Sequence, residues 1–403
     1  MKLGVILIAG LTALSACSNP AGVDARDAAV WISPDGNDWE RVCHPSLGGT
    51  GEQQMLGLAS SGDRLVAVGT EIVDGERDGV VWLSEDGREW RRSTSVDLAG
   101  SGEQWLTDVA FTDFGWIAVG SAGRTRDLDA AIWVSDDGAA WTRAKSIPSF
   151  QGTGLQSANT VTQSGSVVFA GGRDVNDGAL WRSDDGSTWE PVDAAAFGGD
   201  GLQNVLDLAV DGQGLWAVGE HDNDGAVWFL GDAGWVEIEA PGAFGGFGVQ
   251  RVESVAVGHQ TVVAVGGQFD YDRIFLGGGS EGTQDGVAWK MDAEENWHRV
   301  GGSDAFDGIG EQAMVSVISW QQGFVAVGFD LAGRGSVVEG IAEFGSGLNV
   351  DAEVWLSADG DDWLRVSHPS FGGEDWQDMF DVVEVPDVGL VAVGGDDLAT
   401  ACG

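Results

Sequence analysis

The chain has 403 residues, with 64 acidic against 20 basic side chains and a net charge of −44. A surface this acidic excludes nucleic acid and bare anionic membrane as partners and leaves cations or a basic partner as what it attracts. Gly accounts for 65 residues beside 43% hydrophobic content, which excludes disorder and suits short strands joined by many turns.

The first element is an address. Lys2 is the only charge before an apolar run from Val5 to Leu14. That run is too short for a membrane span and has the length of a signal-peptide core. Its end, Leu14-Ser15-Ala16-Cys17, resembles the bacterial lipobox, in which the cysteine is lipidated and becomes the first residue. The expected organisation is a leader over 1–17, a short tether over 18–29 and one folded body over 30–403. The body is expected on the extracytoplasmic side, at the cell surface or in the periplasm, touching membrane only through the lipid on Cys17.

From residue 30 onward one pattern repeats: apolar-Trp-x-Ser-x-Asp-Gly-x-x-Trp, or a worn version of it. Its first tryptophans are Trp31, Trp82, Trp133, Trp181, Trp228, Trp289 and Trp355. A period of about 50 residues marks a solenoid, propeller or array. In the second repeat, Leu106–Ala110 and Gly115–Gly120 read as strands, Ala130–Ser135 as a third, and Trp141–Ala144 as a fourth after an Asp-Gly turn. The middle strands are apolar on both faces, as in a sheet covered on both sides. The second-strand motif also occurs seven times, ending at Gly69, Gly120, Gly171, Gly219, Gly266, Gly328 and Gly394. Four antiparallel strands per repeat describe a propeller blade.

The phase of the repeat settles the closure. The chain opens on strands three and four and ends on strands one and two. The two halves are satisfied by joining into a seventh blade, which removes two open sheet edges. The fold class is therefore all-β: a seven-bladed β-propeller of four-stranded antiparallel blades, closed by a blade shared between N- and C-terminal strands. Cys43 follows the outer strand of that blade and Cys402 lies just past its second strand. In an oxidising compartment the two are expected to form a disulfide, with Cys17 as the lipid site.

The chain resembles the Asp-box, or BNR-repeat, propellers. The resemblance rests on Ser33-Asp35-Gly36-Trp39, Ser84-Asp86-Gly87-Trp90, Ser135-Asp137-Gly138-Trp141, Ser183-Asp185-Gly186-Trp189 and Ser357-Asp359-Gly360-Trp363. The usual box has one more residue before its aromatic, so this is a shortened form. That family includes sialidases, other glycan-active enzymes and non-enzymatic photosystem assembly factors, and in it the box is structural. Sialidase chemistry, with its Arg triad and Tyr–Glu pair, is not assembled here. Tyr271 is the single tyrosine, no Arg-Ile-Pro precedes the first repeat, and the ring has seven blades rather than six.

Site candidates lie mostly where the repeats differ. The loops Gly267–Gly286 and Phe329–Glu353 are roughly 10–15 residues longer than their counterparts. They carry Tyr271, Arg273, Arg334 and Phe344 and are expected to form one raised binding rim. Trp376 is a candidate for stacking on a sugar or an aromatic. His44 and His368 occupy equivalent His-Pro-Ser loops and are weighed as binding residues. A glutamine recurs at Gln53, Gln104, Gln156, Gln203, Gln250, Gln312 and Gln377. A residue used in every repeat reads as an inter-blade hydrogen bond, with a ligand-binding ring as the alternative. Asp174–Gly178 and Asp222–Gly225 look faintly like calcium loops. No cofactor, metal or catalytic residue is implied. The expected role is that of a monomeric, non-catalytic platform for an envelope protein or a cell-surface glycan. A glycan-cleaving enzyme needs two placed carboxylates and is the alternative.

Overall fold

The computed structural model describes residues 26–397 apart from 94, 125, 146, 193–194, 247, 259–260, 270–283, 302–304, 307–310, 332–349 and 373–375. Blade one is built from Glu52–Ser60, Leu65–Val73, Glu76–Ser84 and Trp90–Arg92. Blades two to six open at Glu103, Gln156, Gln203, Val249 and Glu311, each continuing as a four-stranded antiparallel meander. Blades five and six also touch through one parallel bridge, Gln284 to Glu311. In blade seven Gln377–Val385 and Gly389–Asp396 are joined by Asp27–Ser33 and Glu40–Arg41 from the other end of the chain. Seven rungs from Asp27–Asp396 to Ser33–Leu390 hold that seam. The architecture is a seven-bladed β-propeller.

Hydrophobic clusters fill the gaps between blades. One packs Val30, Ile32, Val391 and Val393 of blade seven against Leu65, Ala67 and Trp82 of blade one. The seven repeating tryptophans are the largest fully buried side chains. Each indole also donates a hydrogen bond to the loop entering its own blade. Trp31 reaches the Ser370 carbonyl at 2.8 Å, Trp133 the Asp97 carbonyl at 2.8 Å and Trp289 the Ala243 carbonyl at 2.8 Å. A buried indole keeps its N–H satisfied, which is why Trp rather than Phe occupies the position.

The Ser-x-Asp-Gly turn is a hydrogen-bonded knot rather than a two-residue hairpin. In blade seven Ser33 Oγ accepts from the Gly36 amide at 2.9 Å, and Asp35 Oδ1 accepts from the Asn37 and Asp38 amides at 2.9 Å each. The Trp39 indole returns to the Gly36 carbonyl at 2.8 Å. Backbone hydrogen bonds of this kind hold Asp35, Asp137 and Asp359 below the ordinary carboxylate range. In blade five Asp292 takes over, accepting from the Glu294 and Asn296 amides at 3.0 and 2.8 Å.

Each first strand carries a β-bulge at one register position: between Met55 and Gly57, Leu106 and Asp108, Ala158 and Thr160, Val205 and Asp207, Val252 and Ser254, Met314 and Ser316, and Met379 and Asp381. Opposite each bulge the second strand has a glycine whose Cβ would strike a first-strand carbonyl. In blade three this is Gly172, 1.9 Å from the Ser157 oxygen, and not the Gly171 expected from the sequence. The bulges re-aim the following residues at the axis.

Candidate functional site

The first strands of all seven blades enclose a central channel with a cavity of about 310 Å³. Its wall includes Leu56, Thr107, Asn159, Leu206, Glu253, Val315 and Phe380, one residue from each bulge. The residue after it in each strand is Gly57, Asp108, Thr160, Asp207, Ser254, Ser316 or Asp381, and in every blade but the first its side chain ties the frame together. Asp108 Oδ2 accepts from the Val161 amide of the next blade at 2.8 Å. Asp207 accepts from its neighbour's Ser254 Oγ at 2.7 Å and Val255 amide at 2.9 Å, and from the Leu208 amide at 2.7 Å. Asp381 of blade seven accepts from the Leu58 amide of blade one at 2.7 Å, from Ser316 Oγ of blade six at 2.9 Å and from the Val382 amide at 2.8 Å.

Desolvation in the wall raises all three carboxyls. Asp108 stands well above its ordinary value, with Asp381 and Asp207 adding like-charge repulsion. Asp207 is raised by burial, and Asp381 is pushed up to about 7 by burial. Raised carboxyls in a channel invite a general-acid reading. Here, however, their oxygens are engaged by main-chain amides and serine hydroxyls of the ring itself.

One rung nearer the loop-bearing face, blades three to five bring two arginines and two glutamates together. Arg251 pairs with Glu253 at 3.2 Å and Glu220 at 3.9 Å. Arg173 lines the same cavity, is 4% exposed, and has Nε and Nη2 with no hydrogen-bond partner among the described residues. Burial lowers its pKa, opposed by the charge of Glu220.

At the face itself lie the seven glutamines, all buried. Where a side-chain partner is seen among the described residues, it lies within the glutamine's own blade. Gln156 reaches Asp174 at 3.1 Å, Gln203 the ring of His221 at 3.1 Å and Gln312 Asp330 at 2.8 Å. The inter-blade bonds expected at these positions come from main-chain amides, Gln53 to the Arg26 carbonyl at 2.6 Å, Gln203 to Asn176 at 2.7 Å, Gln250 to Asn223 at 2.8 Å and Gln377 to Val350 at 2.6 Å, and the side chains of the bulge residues add others. In blade six the stripe continues to Glu353 and Arg365, which are ion-paired, as are Asp330 and Arg365. Burial pushes the Glu353 carboxyl up to about 7 against the pull of Arg365.

Several sequence candidates can be placed. Trp376 is half-buried, with Arg26 over its ring at 5.3 Å and its indole donating to Asp378 at 3.0 Å. His44 and His368 occupy successive blade junctions. Each turns its Nδ1 onto the serine two residues on, Ser46 at 2.9 Å and Ser370 at 2.8 Å. Those serines anchor to the Trp90 and Trp39 carbonyls. Asp174–Asp177 and His221–Asp224 form hairpins. Among the described residues no group of three His, Cys, Asp or Glu could hold a metal. Tyr271, Arg273, Arg334, Phe344, Cys17 and Cys402 lie outside the described residues. Cys43 is not a free thiol. Sequence reasoning missed Arg173, Asn204 and the bulge aspartates. It also missed Arg77, which stacks on Trp105 at 3.9 Å on the loop-bearing face.

No protein-family model matches the chain, and no curated protein matches it. Among solved structures the chain is similar to that of YjhT, with a TM-score of 0.47 and 10% identity over 79% of this chain and 99% of that one. It is also similar to Sqt1 of Chaetomium thermophilum, with a TM-score of 0.42 and 12% identity over 85% and 93%. A third is the sucrose-6-phosphate hydrolase of Lactobacillus gasseri, with a TM-score of 0.39 and 10% identity over 81% and 62%. These likenesses carry no inference about function; the seven four-stranded blades themselves make the chain a β-propeller.

Proposed function

We propose that the protein is an exported, lipid-anchored platform that binds an envelope protein or a cell-surface glycan without catalysis. The observation that carries this reading is the engagement of the channel carboxylates. Glycoside hydrolysis needs two carboxyls turned toward a shared opening, one protonated and one ionised. Asp108, Asp207 and Asp381 instead spend their oxygens on the ring that joins the blades. The hydrogen-bonded Ser-x-Asp-Gly knot is taken as a shortened Asp box in its structural role.

The binding face in this proposal is the loop-bearing one, with the long loops Gly267–Gly286 and Phe329–Glu353 as its rim. The chain also enters the body on this face, where the Arg26 carbonyl accepts from the Gln53 amide at 2.6 Å. Because Asp27 already stands in the first strand, the tether expected over 18–29 shortens to residues 18–25, which at about 3.5 Å per residue reach about 28 Å at most. Lipidation at Cys17 would therefore hold the loop-bearing face toward the membrane and its residents. A monomer suffices for this role, and no helix of the described residues is long and apolar enough to cross a membrane.

The test is crosslinking and affinity purification of the lipidated protein from its own membranes. A near-stoichiometric partner lost when both long loops are shortened is the expected result. Retention of that partner by the shortened protein would move the contact surface elsewhere. Hydrolysis of a glycan panel, abolished by Asp381→Asn, would overturn the non-catalytic reading.

A further inference from the structure

The channel contains a polar group that the frame leaves unused. Arg173 stands on the second strand of blade three, opposite Ser157, and its guanidinium lines the cavity. It makes no hydrogen bond among the described residues, and its enclosed Nε and Nη2 have no acceptor. A buried N–H without an acceptor loses its hydration with nothing in return, and the loss is greater when the group is charged. The neighbouring cation differs, because Arg251 is already paired with Glu253 and Glu220. Beside Arg173, Asn159 Nδ2 donates to Asn204 Oδ1 at 2.8 Å and to the Val205 carbonyl at 2.8 Å. That fixes the Asn204 amide with its NH2 turned away. Neither Asn204 Nδ2 nor Ser157 Oγ donates a hydrogen bond among the described residues, and both residues line the cavity.

We infer that this end of the channel is a binding site for a small hydroxylated carboxylate, its carboxyl group paired with Arg173 and its hydroxyls met by Asn204 and Ser157. A planar guanidinium matches a carboxylate in geometry and charge. The nearby Glu220 and Glu253 favour a monoanion over a phosphate dianion. The cavity of about 310 Å³ holds the volume of about ten waters at ~30 Å³ each, the size of a small organic acid rather than a polymer. The site stands apart from the platform reading, since it lies inside the channel and needs neither long loop.

The experiment is calorimetric titration of the purified full-length protein with lactate, malate and gluconate. Inorganic phosphate and the uncharged polyols glycerol and sorbitol serve as controls. Saturable binding of at least one hydroxy acid below about 10 mM, at least tenfold tighter than phosphate and absent for the polyols, is expected. Arg173→Met should weaken that binding at least tenfold while leaving the melting temperature unchanged or higher, because it removes an unpaired buried charge. Asn204→Asp, which keeps the shape and adds a repelling carboxylate, should weaken it with the fold intact. Three outcomes each overturn the inference: no saturable binding of any of the acids, phosphate binding as tightly, or hydroxy-acid binding undiminished in both variants.

Discussion

Replacing Gly138 by alanine tests whether the Ser-x-Asp-Gly turn does more than reverse the chain. Gly138 has φ +72°, and a Cβ there would lie 2.8 Å from Val66 Cγ2, a fully buried side chain of the preceding blade. Two costs follow. An L-residue in the left-handed region costs about 1–2 kcal/mol. Overpacking against Val66 costs about 1–3 kcal/mol more, through off-rotamer side chains or a shift of the blade. Gly75, at φ +84°, is the control, since a Cβ there meets nothing within 4 Å. Both variants lose the same unfolded-state freedom of glycine, so that term cancels between them. Gly75→Ala should therefore destabilise by about 1–2 kcal/mol and Gly138→Ala by about 2–5 kcal/mol. Urea midpoints at constant slope measure the difference. Equal midpoints for the two variants would show that the turn does not bear on the neighbouring blade, and the inter-blade argument would fail.

Three further outcomes are expected. Trp133→Phe should cost about 2 kcal/mol in urea unfolding, from the lost bond to the Asp97 carbonyl and lost ring area, and a loss below about 0.5 kcal/mol would contradict the pegging role. Asp381 and Glu353, raised to about 7, bind more protons folded than unfolded, so stability should fall as pH rises from about 4 to 7. The lowered turn carboxyls such as Asp35 and Asp137 act oppositely, withdrawing stability below about pH 4. A melting temperature that climbs steadily from mildly acid to mildly alkaline buffer, or an unaltered slope in Asp381→Asn, would refute the assignment. Peptide mapping without reductant should recover Cys43 linked to Cys402, and losing the link by Cys402→Ser should cost about 2–5 kcal/mol; mapping that pairs Cys43 with another residue would end that proposal.

The blade count and the closing seam were legible because the buried tryptophan recurs in every blade and the Ser-x-Asp-Gly turn beside it in five of the seven. The seam was readable from phase alone, and the register from Asp27–Asp396 to Ser33–Leu390 bears it out. The channel ring was not legible, although it follows each glutamine by four residues, from Gln53 and Gly57 to Gln377 and Asp381. Gly, Asp, Thr and Ser share that position because a bulge needs a small or hydrogen-bonding residue there rather than one residue type. Identity between repeats therefore conceals it. Arg173 was hidden for the opposite reason: its counterparts Thr70, Ser121, Glu220, Gly267, Phe329 and Gly395 have nothing in common with it. Only the fold shows that it faces the same cavity as Asn204.

The shared blade orders events in time. Of the described strands Asp27–Ser33 is synthesised first, and its partner Gly389–Asp396 last. Until then Trp31 and Ile32 have no sheet to cover them, and six finished blades form an open arc. Contacts of such sequence separation form late, because the loop they close must be ordered first. Closure of the ring is therefore expected to follow formation of the six continuous blades. The same joint resists opening with backbone hydrogen bonds, since the two ends of the chain part only when its seven rungs separate.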